Sequence, residues 1–246
     1  MLVVDVYKLI DNKEYGRLLI YLKCGFNYSL FHVNGDDLKS FGDEQSPLFS
    51  TSLFGNCSSL DKYKQVNTIN NKGYSPLSWA VLNNQLSTVI ALLEKGADIS
   101  IRNYKNENLL HIACKFQSYD VLIYLLRILP KGMLLEKNSR GFTPFLLACG
   151  SGNIRIIRYL MGILDVNSLL QINIYNASSL HWLAYHCKDD DIQYINLIAD
   201  LIKLTQHRKD FNKMLDENAV GFTPVDWLDK NKSYLTIESL NKLKRK

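Results

Sequence analysis

"NNKGYSPLSWAVLNNQLSTVIALLEKGADISIRN", residues 70–103, is the segment that decides the fold. It contains a turn, two short apolar segments and a second turn, and none of its side chains suggests catalysis. The second apolar segment places Val89, Leu92 and Leu93 at helical spacing. The segment therefore predicts a loop followed by two short helices.

The same pattern recurs along the chain. GYSPLSWA at 73–80 is followed by NENLLHIA at 106–113 and GFTPFLLA at 141–148, with weaker copies NASSLHWLA at 176–184 and GFTPVDWL at 221–228. The equivalent positions Ser75, Asn108, Thr143, Ser178 and Thr223 are separated by 33, 35, 35 and 45 residues. A nearly fixed period in this range is typical of a solenoid.

Each copy contains the residue types that a compact helix pair requires. Gly permits the positive φ of a tight turn, Ser or Thr before Pro caps and starts a helix, and Ala keeps the first helix thin. One copy can bury the apolar face of its second helix only against adjacent copies. The chain is therefore predicted to be an all-α solenoid of stacked helix-turn-helix units.

The pattern G-x-T-P-L-H-x-A, then a helix, a short turn, V-x-x-L-L and G-A-D-I, resembles the ankyrin repeat. Residues 73–99 match it almost in full, and the resemblance covers residues 70–228. It implies an ankyrin-repeat solenoid with β-turn or hairpin tips. It also implies that partners are contacted by the tips and the exposed side of the first helices, which together line a concave face.

The predicted organisation has caps at both ends of the repeats. Residues 1–45 are expected to form an N-terminal helical cap and a polar loop, and 46–69 a degenerate repeat. The repeats are placed at 70–102, 103–136, 137–171 and 172–216, with a last unit starting at 217–228, and 229–246 is assigned to a C-terminal capping helix and basic tail. The fourth repeat is the longest, so an extended second helix over 192–207 and an enlarged loop around 208–212 are expected.

Composition indicates the surface charge and the cellular compartment of the protein rather than its activity. The net charge is +5, but the 29 Lys and Arg are scattered among 24 Asp and Glu, which indicates a mildly basic surface. None of the five cysteines lies in a C-x-x-C pair, which favours a reducing, cytoplasmic compartment. The first residues do not resemble a secretory signal, and the sequence has no apolar run long enough to cross a membrane.

The histidines and cysteines do not form a catalytic or metal-binding pattern. His111 and His181 occupy the His of the repeat motif, where the resemblance implies a structural bond to backbone, and Cys114 and Cys149 are interpreted as small buried apolar residues. No nucleophile elbow or phosphate-binding loop is present. The sequence thus predicts no enzyme, no cofactor and no metal.

Binding is the function that the pattern favours. Carried over one position at a time, the resemblance assigns partner contacts to tip and helix positions that include many aromatic and basic residues: Lys72, Tyr74, Tyr104, Lys105, Glu107, Lys115, Phe116, Arg140, Phe142, Tyr175, Tyr185 and His186. Outward aromatic residues beside Lys and Arg are typical interface anchors. The partner is expected to be a protein with an acidic surface, and neither a membrane nor a small-molecule substrate is expected.

Two further hypotheses come from composition. The 22 Asn, with abundant Lys and Ile, indicate an AT-rich genome, and degenerate repeats of uneven length look like those of ankyrin effectors from intracellular bacteria, which act in the host cytoplasm. AT-rich eukaryotes and large DNA viruses are alternative sources. Nucleic-acid binding through the basic surface and the NKLKRK tail at 241–246 is the alternative function, although no groove-reading motif accompanies it, and an enzyme with an unrecognised site ranks last.

Overall fold

The computed structural model of the protein describes residues 66–70, 72–189 and 191–233. These residues belong to two compact units, the first ending at Tyr104 and the second beginning at Lys105. The predicted N-terminal cap at 1–45, residues 46–65 of the predicted degenerate repeat, and the basic tail from 234 onwards lie outside the described residues.

The first unit contains one helix pair, α1 (Pro76–Leu82) and α2 (Leu86–Glu94), which pack on each other. Every residue of α1 is buried, whereas α2 buries only Thr88, Val89 and Leu92. The first helix is thus enclosed and the second is amphipathic, as expected for a repeat whose outer helix faces solvent.

The second unit continues the same arrangement. Its helices are α3 (Leu109–Lys115), α4 (Tyr119–Ile128), α5 (Pro144–Ser151), α6 (Ile154–Ile163), α7 (Val166–Leu169), α8 (Ser179–His186), α9 (Ile192–Thr205) and α10 (Pro224–Lys230), with 3-10 helices at Lys131–Leu134 and Lys209–Met214. The first helices pack in sequence, α3 on α5, α5 on α8 and α8 on α10. The second helices α4, α6 and α9 each pack on the first helix of their own repeat.

The described residues form no strand, and their only bridge joins Ile172 to Ser178 in isolation. The predicted all-α stack of helix pairs is confirmed. Its core consists of the first helices and the inner faces of the second ones, where Ala113, Ala148, Cys114 and Cys149 are fully buried. The interpretation of these two cysteines as small core residues is also confirmed.

The five positions that define the repeat are the N-caps of the first helices. Ser75, Asn108 and Thr143 each accept a hydrogen bond from the backbone N–H three residues further on, with Oγ or Oδ1 as the acceptor. Ser178 and Thr223 cap α8 and α10 as capping boxes. Each cap satisfies an N–H that has no partner within its helix, so the sequence defines where every first helix begins.

A tight turn precedes each cap, and the residue two positions before the cap has a left-handed backbone. Gly73, Gly141 and Gly221 have φ between 73° and 78° there, and Asn106 and Asn176 have φ of 56° and 53°. At Gly141 a Cβ would lie 2.9 Å from the backbone nitrogen of Ile174 in the next turn. Residue 141 therefore requires glycine for this close approach as well as for its left-handed backbone.

The fourth repeat accommodates its extra length mainly in helix. α9 has 14 residues, compared with 10 in α4 and α6. The predicted extended second helix is confirmed, although it ends at Thr205. Most of the segment expected to be an enlarged loop is the 3-10 helix Lys209–Met214, which has a counterpart at Lys131–Leu134 in the second repeat.

Candidate protein-binding groove

The tips of the second unit are aligned by a ladder of asparagine turns. Asn138 Oδ1 accepts from the backbone nitrogens of residues 140 and 142 at 2.9 and 3.0 Å. Asn173 and Asn218 make the same pair of bonds in the next two turns. Each amide side chain holds its own turn closed, because Asn readily bonds backbone two residues on.

Successive turns are joined by single backbone hydrogen bonds. Ser139 N donates to Lys105 O at 2.9 Å, Ile174 N to Arg140 O at 3.2 Å, and Ala219 N to Tyr175 O at 2.8 Å. The residues after these donors therefore occupy equivalent places along one edge of the unit. Arg140, Tyr175 and Val220 form such a row.

The two motif histidines fasten the first helices to these turns. His111 Nε2 lies 3.0 Å from Phe142 O, and His181 Nε2 lies 3.1 Å from Phe222 O. The predicted structural role of both is confirmed. The backbone N–H of Ser178 donates to His181 Nδ1 at 3.2 Å, which assigns the proton of a neutral ring to Nε2. Burial lowers the pKa of His181 because it disfavours the imidazolium.

At the base of two tips, an aromatic residue before the cap pairs with a tryptophan of the same repeat. The fourth repeat has the tryptophan but no aromatic residue before its cap. Tyr74 pairs with Trp79 at 5.8 Å between ring centroids, and Phe222 pairs with Trp227 at 5.0 Å. In each pair the first ring precedes the cap and the tryptophan lies four residues after it. The fourth repeat has Ala177 before its cap, and its Trp182 instead packs on Phe142 of the preceding repeat at 5.9 Å.

The small Ala177 side chain leaves a groove of about 490 Å³, which we call the Ala177 groove. Its tip side is formed by residues of three successive repeats: Arg140, Phe142, Tyr175, Ala177, Ala219 and Val220. Its helix side is formed by His181, Trp182, Tyr185 and Trp227, and the turn residues Asn173 and Asn218 complete the lining. The Tyr185 and Trp227 rings meet edge to face at 5.2 Å, so the wall is largely aromatic.

Several polar groups of this groove are hydrogen-bond donors. Arg140 is exposed, and of the described residues that line the groove only Arg140 carries a permanent charge. Asn173 Nδ2 and Trp182 Nε1 are buried N–H groups without a hydrogen-bond partner. A buried donor without a partner is destabilising, so an acceptor supplied by a ligand would be favoured here.

Four of the residues predicted to bind a partner line this groove, namely Arg140, Phe142, Tyr175 and Tyr185. Tyr175 is 43% exposed and Tyr185 45%. The outward placement expected for these two tyrosines is confirmed, while their part in binding stays a prediction.

The other predicted contacts lie elsewhere. Tyr104, which is 70% exposed, and the half-buried Lys72 and Tyr74 belong to the first unit. In the second unit, Lys105 is exposed and Phe116 is half-buried beneath Lys115, whose Nζ lies 5.3 Å from the ring centroid. None of these six is among the groove residues.

Glu107 differs from the expectation that it points outward. It is only 2% exposed, and its Oε1 lies 3.3 Å from Lys115 Nζ and 3.5 Å from Asn138 Nδ2. The carboxylate is thus buried at the base of the next asparagine turn. The physical reason is that a buried amide donor requires an acceptor, and Glu107 provides it.

His186 is half-buried and holds the preceding repeat. Its Nε2 lies 2.9 Å from Gly150 O, and its ring is stacked on Tyr194 at 5.9 Å. A Cβ at Gly152 would come within 2.9 Å of the same imidazole ring. The expectation that His186 faces a ligand therefore differs from what the structure shows, since the ring is packed against backbone.

Sequence reasoning missed the two tryptophans, Trp182 and Trp227, and the unpaired amide of Asn173. A signal for the tryptophans existed, because Trp follows the cap by four residues in three of the five copies. No comparable signal existed for the groove itself. It depends on an aromatic residue being absent at Ala177.

No group of three or more His, Cys, Asp or Glu side chains is placed to hold a metal ion in the described part of the chain. Cys114, Cys149 and Cys187 are buried, and burial raises the pKa of Cys114 and Cys149. Across the ranges that the structure describes, no helix has the length and apolar character to span a membrane.

Comparison with known proteins agrees with this architecture. Residues 51–132 match the sequence model of ankyrin repeats, in three copies. Solved ankyrin structures superpose on the chain over most of its length: EF0377, an ankyrin repeat protein, has a TM-score of 0.62 at 20% identity, covering 81% of this chain and 98% of that one. The chain thus contains ankyrin repeats and has the ankyrin-repeat fold.

Other solved ankyrin folds are similarly close. The human ASB11 ankyrin repeat domain has a TM-score of 0.60 at 18% identity and covers 95% of this chain and 96% of its own. A chain of the Bdellovibrio bacteriovorus complex between the predatory endopeptidase Bd0816 and the immunity protein Bd3460 has a TM-score of 0.61 at 22% identity, covering 81% and 99%. At these identities the likeness establishes the fold alone.

Curated relatives match about half of this chain and a smaller share of their own length. Inversin of the dog is 24% identical over 58% of this chain and 12% of its own length. A rice protein, probable E3 ubiquitin-protein ligase XBOS33, is 27% identical over 52% and 24%. NF-kappa-B inhibitor alpha of the pig is 33% identical over 42% and 34%. The chain thus spans about an eighth of inversin and a quarter of the rice protein.

Proposed function

We propose that this ankyrin-repeat protein binds a partner protein, without catalysis, through the concave edge of its second unit, with the Ala177 groove at the centre. Ankyrin repeats are generally protein–protein interaction modules, and the ankyrin fold is typically non-catalytic. The observation that carries the proposal is the groove itself, where aromatic rings from three successive repeats surround an unfilled space.

The groove has the composition of an interface centre. Tyr, Trp, Phe and Arg are enriched in interface cores and among the residues that contribute most to binding. The Ala177 groove contains all four types, and exposed apolar residues such as Val220 extend it. An apolar concave surface of this kind gains free energy when a partner removes it from water.

The names of two similar proteins support binding of proteins by this fold. The pig relative is named as an inhibitor of NF-kappa-B, and the Bdellovibrio structure contains an endopeptidase in complex with an immunity protein. The identity of this protein's partner does not follow from either.

We further propose that the protein works in a reducing cytoplasm, as a bacterial effector on a host protein. The support is compositional, namely the 22 Asn and the uneven repeat lengths, together with the buried free thiols of Cys114 and Cys149 in the core. An acidic partner surface is proposed because Arg140 and Lys105 are exposed at neighbouring tips of the second unit.

Site-specific photocrosslinking tests the proposal. A photoreactive phenylalanine analogue at Val220, which is 70% exposed on the groove, is compared with the same residue at Ile163, which is 50% exposed on α6 and outside it. In eukaryotic lysate, the Val220 probe should yield a discrete crosslinked protein and the Ile163 probe should not. The proposal is wrong if both positions give the same product, or if Phe142→Ala leaves the Val220 product undiminished.

A further inference from the structure

We propose that the Ala177 groove recognises an acidic residue in a linear segment of the partner, and holds its side-chain carboxylate against the N–H donors of Asn173, Trp182 and Arg140. An apolar residue adjacent to that acid would pack on the aromatic wall. This inference rests on the proposed function and names the chemistry of the partner at the same site.

Ala177 determines where the segment enters. The equivalent positions in three other repeats hold Tyr74, Phe142 and Phe222, and in the first and last of these the ring covers a tryptophan of its own repeat. Trp182 has no such cover from residue 177. The space that an aromatic ring fills elsewhere is therefore open beside the Trp182 indole.

Two buried donors at this place have no acceptor. Asn173 is 5% exposed, and while its Oδ1 closes the turn, its Nδ2 has no partner. The equivalent Asn138 Nδ2 reaches Glu107 Oε1 at 3.5 Å. Asn138 belongs to the third repeat and Glu107 to the second. For Asn173, in the fourth repeat, the corresponding residue of the third repeat is Phe142, whose side chain has no acceptor. Asn173 therefore lacks the carboxylate that Asn138 has.

Trp182 Nε1 is the second unpartnered donor that lines the groove. In the contact between Asn138 and Glu107, the acceptor for the equivalent amide donor is a carboxylate. A carboxylate has two oxygens and can accept from more than one donor. A partner's acidic side chain would thus supply for Asn173 what Glu107 supplies for Asn138.

The charge of the groove agrees with an acid. Arg140 is exposed at the tip, and the described residues of the lining include no carboxylate. Lys230 lies outside the lining with its Nζ 5.2 Å from the Trp227 ring, and the carboxylates of Asp216 and Asp226, also outside the lining, act on His181. Within the lining, Arg140 disfavours a cationic side chain. A protein segment fits better than a free anion because it combines the carboxylate with the apolar group that the aromatic wall favours.

The test uses the full chain and an array of randomised decapeptides in which one central residue is fixed as Glu, Gln or Lys. Peptides selected with Glu should bind roughly tenfold or more tightly than their Gln counterparts, because hydrogen bonds to charged groups are the stronger ones. The Lys peptides should not bind measurably.

Three variants assign the preference to the proposed donors. Trp182→Phe keeps the ring and removes the N–H, Asn173→Asp keeps the acceptor that closes the turn and removes the Nδ2 donor, and Arg140→Gln removes the charge. Each should lower the ratio of Glu to Gln affinity by about threefold or more. Arg158→Gln, an exposed arginine on α6, is the matched control and should leave the ratio unchanged.

The outcomes separate this inference from the proposed function. If peptides bind in competition with the Val220 crosslink but Glu and Gln versions bind equally, the acid preference is wrong and the groove is still a protein-binding site. If no peptide binds, or if binding is insensitive to all three variants, recognition of a linear acidic segment is wrong. The crosslinking experiment then judges the proposed function by itself.

Discussion

The phenol of Tyr194 in α9 donates a hydrogen bond to the backbone oxygen of Gly152 at 2.6 Å. Tyr194 lies in the second helix of the fourth repeat, and Gly152 ends the first helix of the third. Burial raises the pKa of Tyr194, so the phenol remains a donor at neutral pH. This bond ties together two repeats through a turn rather than through the helix stack.

Removing that bond should weaken the protein. Tyr194→Phe is expected to lower the free energy of unfolding by about 0.5–1.5 kcal/mol, the usual contribution of one hydrogen bond. Urea denaturation of the full chain measures it, with Tyr159→Phe on the surface of α6 as the control. Equal midpoints for Tyr194→Phe and the parent would contradict the prediction.

Gly152 should tolerate no side chain. Its φ is +74°, and a Cβ would lie 2.9 Å from His186 and 3.0 Å from the Tyr194 hydroxyl. Gly152→Ala is expected to lose about 1–3 kcal/mol through backbone strain and overpacking. Gly162→Ala is the control, because nothing lies within 4 Å of a Cβ placed there. Similar thermal midpoints for the two variants would show that the turn can relax.

Ala148 tests the packing of the first helices. It is fully buried in α5, which packs on both α3 and α8. Ala148→Leu should overpack this contact and destabilise the fold by about 1–3 kcal/mol. The exposed Ala199 in α9 provides the control substitution, Ala199→Leu, whose melting midpoint should stay close to that of the parent. An unchanged midpoint for Ala148→Leu would show that the stack adapts to volume.

Protonation of His181 should oppose folding. Its folded-state pKa is lowered by burial from an ordinary value of 6.5, so below pH 6.5 the unfolded chain takes up more protons than the folded one. Stability from this group is complete above pH 6.5 and is lost as the pH falls, by at most about 1.4 kcal/mol per pH unit. Urea midpoints between pH 7 and pH 5 measure the slope, and a slope that persists in His181→Gln would assign it to other groups.

Phe142 and Phe116 test how far the binding surface extends. Phe142 lines the Ala177 groove, and Phe142→Ala is expected to weaken binding of the crosslinked partner by about 1–3 kcal/mol. Phe116 lies outside the groove, so Phe116→Ala should have the smaller effect. Titration of the purified partner gives both values. Equal losses would extend the surface to the second repeat, and no loss in either would remove the concave edge from consideration.

The fold could be predicted from the sequence because each repeat contains the residues that mark its own boundaries. A cap residue such as Thr143 is followed by Pro144 and preceded by Gly141, and these local signals do not depend on the rest of the chain. The spacing of the caps then gave the number and order of the helix pairs. The long α9 was also readable, because its apolar residues keep helical spacing.

The candidate site was harder to predict from the sequence because it depends on contacts between repeats. Glu107 occupies a tip position in the alignment, yet it is buried because Asn138 and Lys115 converge on it. His186 likewise packs on the preceding turn. Trp182 pairs with a ring of another repeat, and no periodic pattern within one repeat predicts that pairing.

The small residue at 177 also has a consequence for how such a gene can change. Deleting one 35-residue unit, residues 143–177, would join Phe142 directly to Ser178 and leave the spacing of caps intact. The shortened protein would then have a phenylalanine before the cap of the repeat that contains Trp182, the arrangement seen for Phe222 and Trp227. Loss of one unit would thus place an aromatic ring at the position of Ala177 and close the Ala177 groove, without any point mutation.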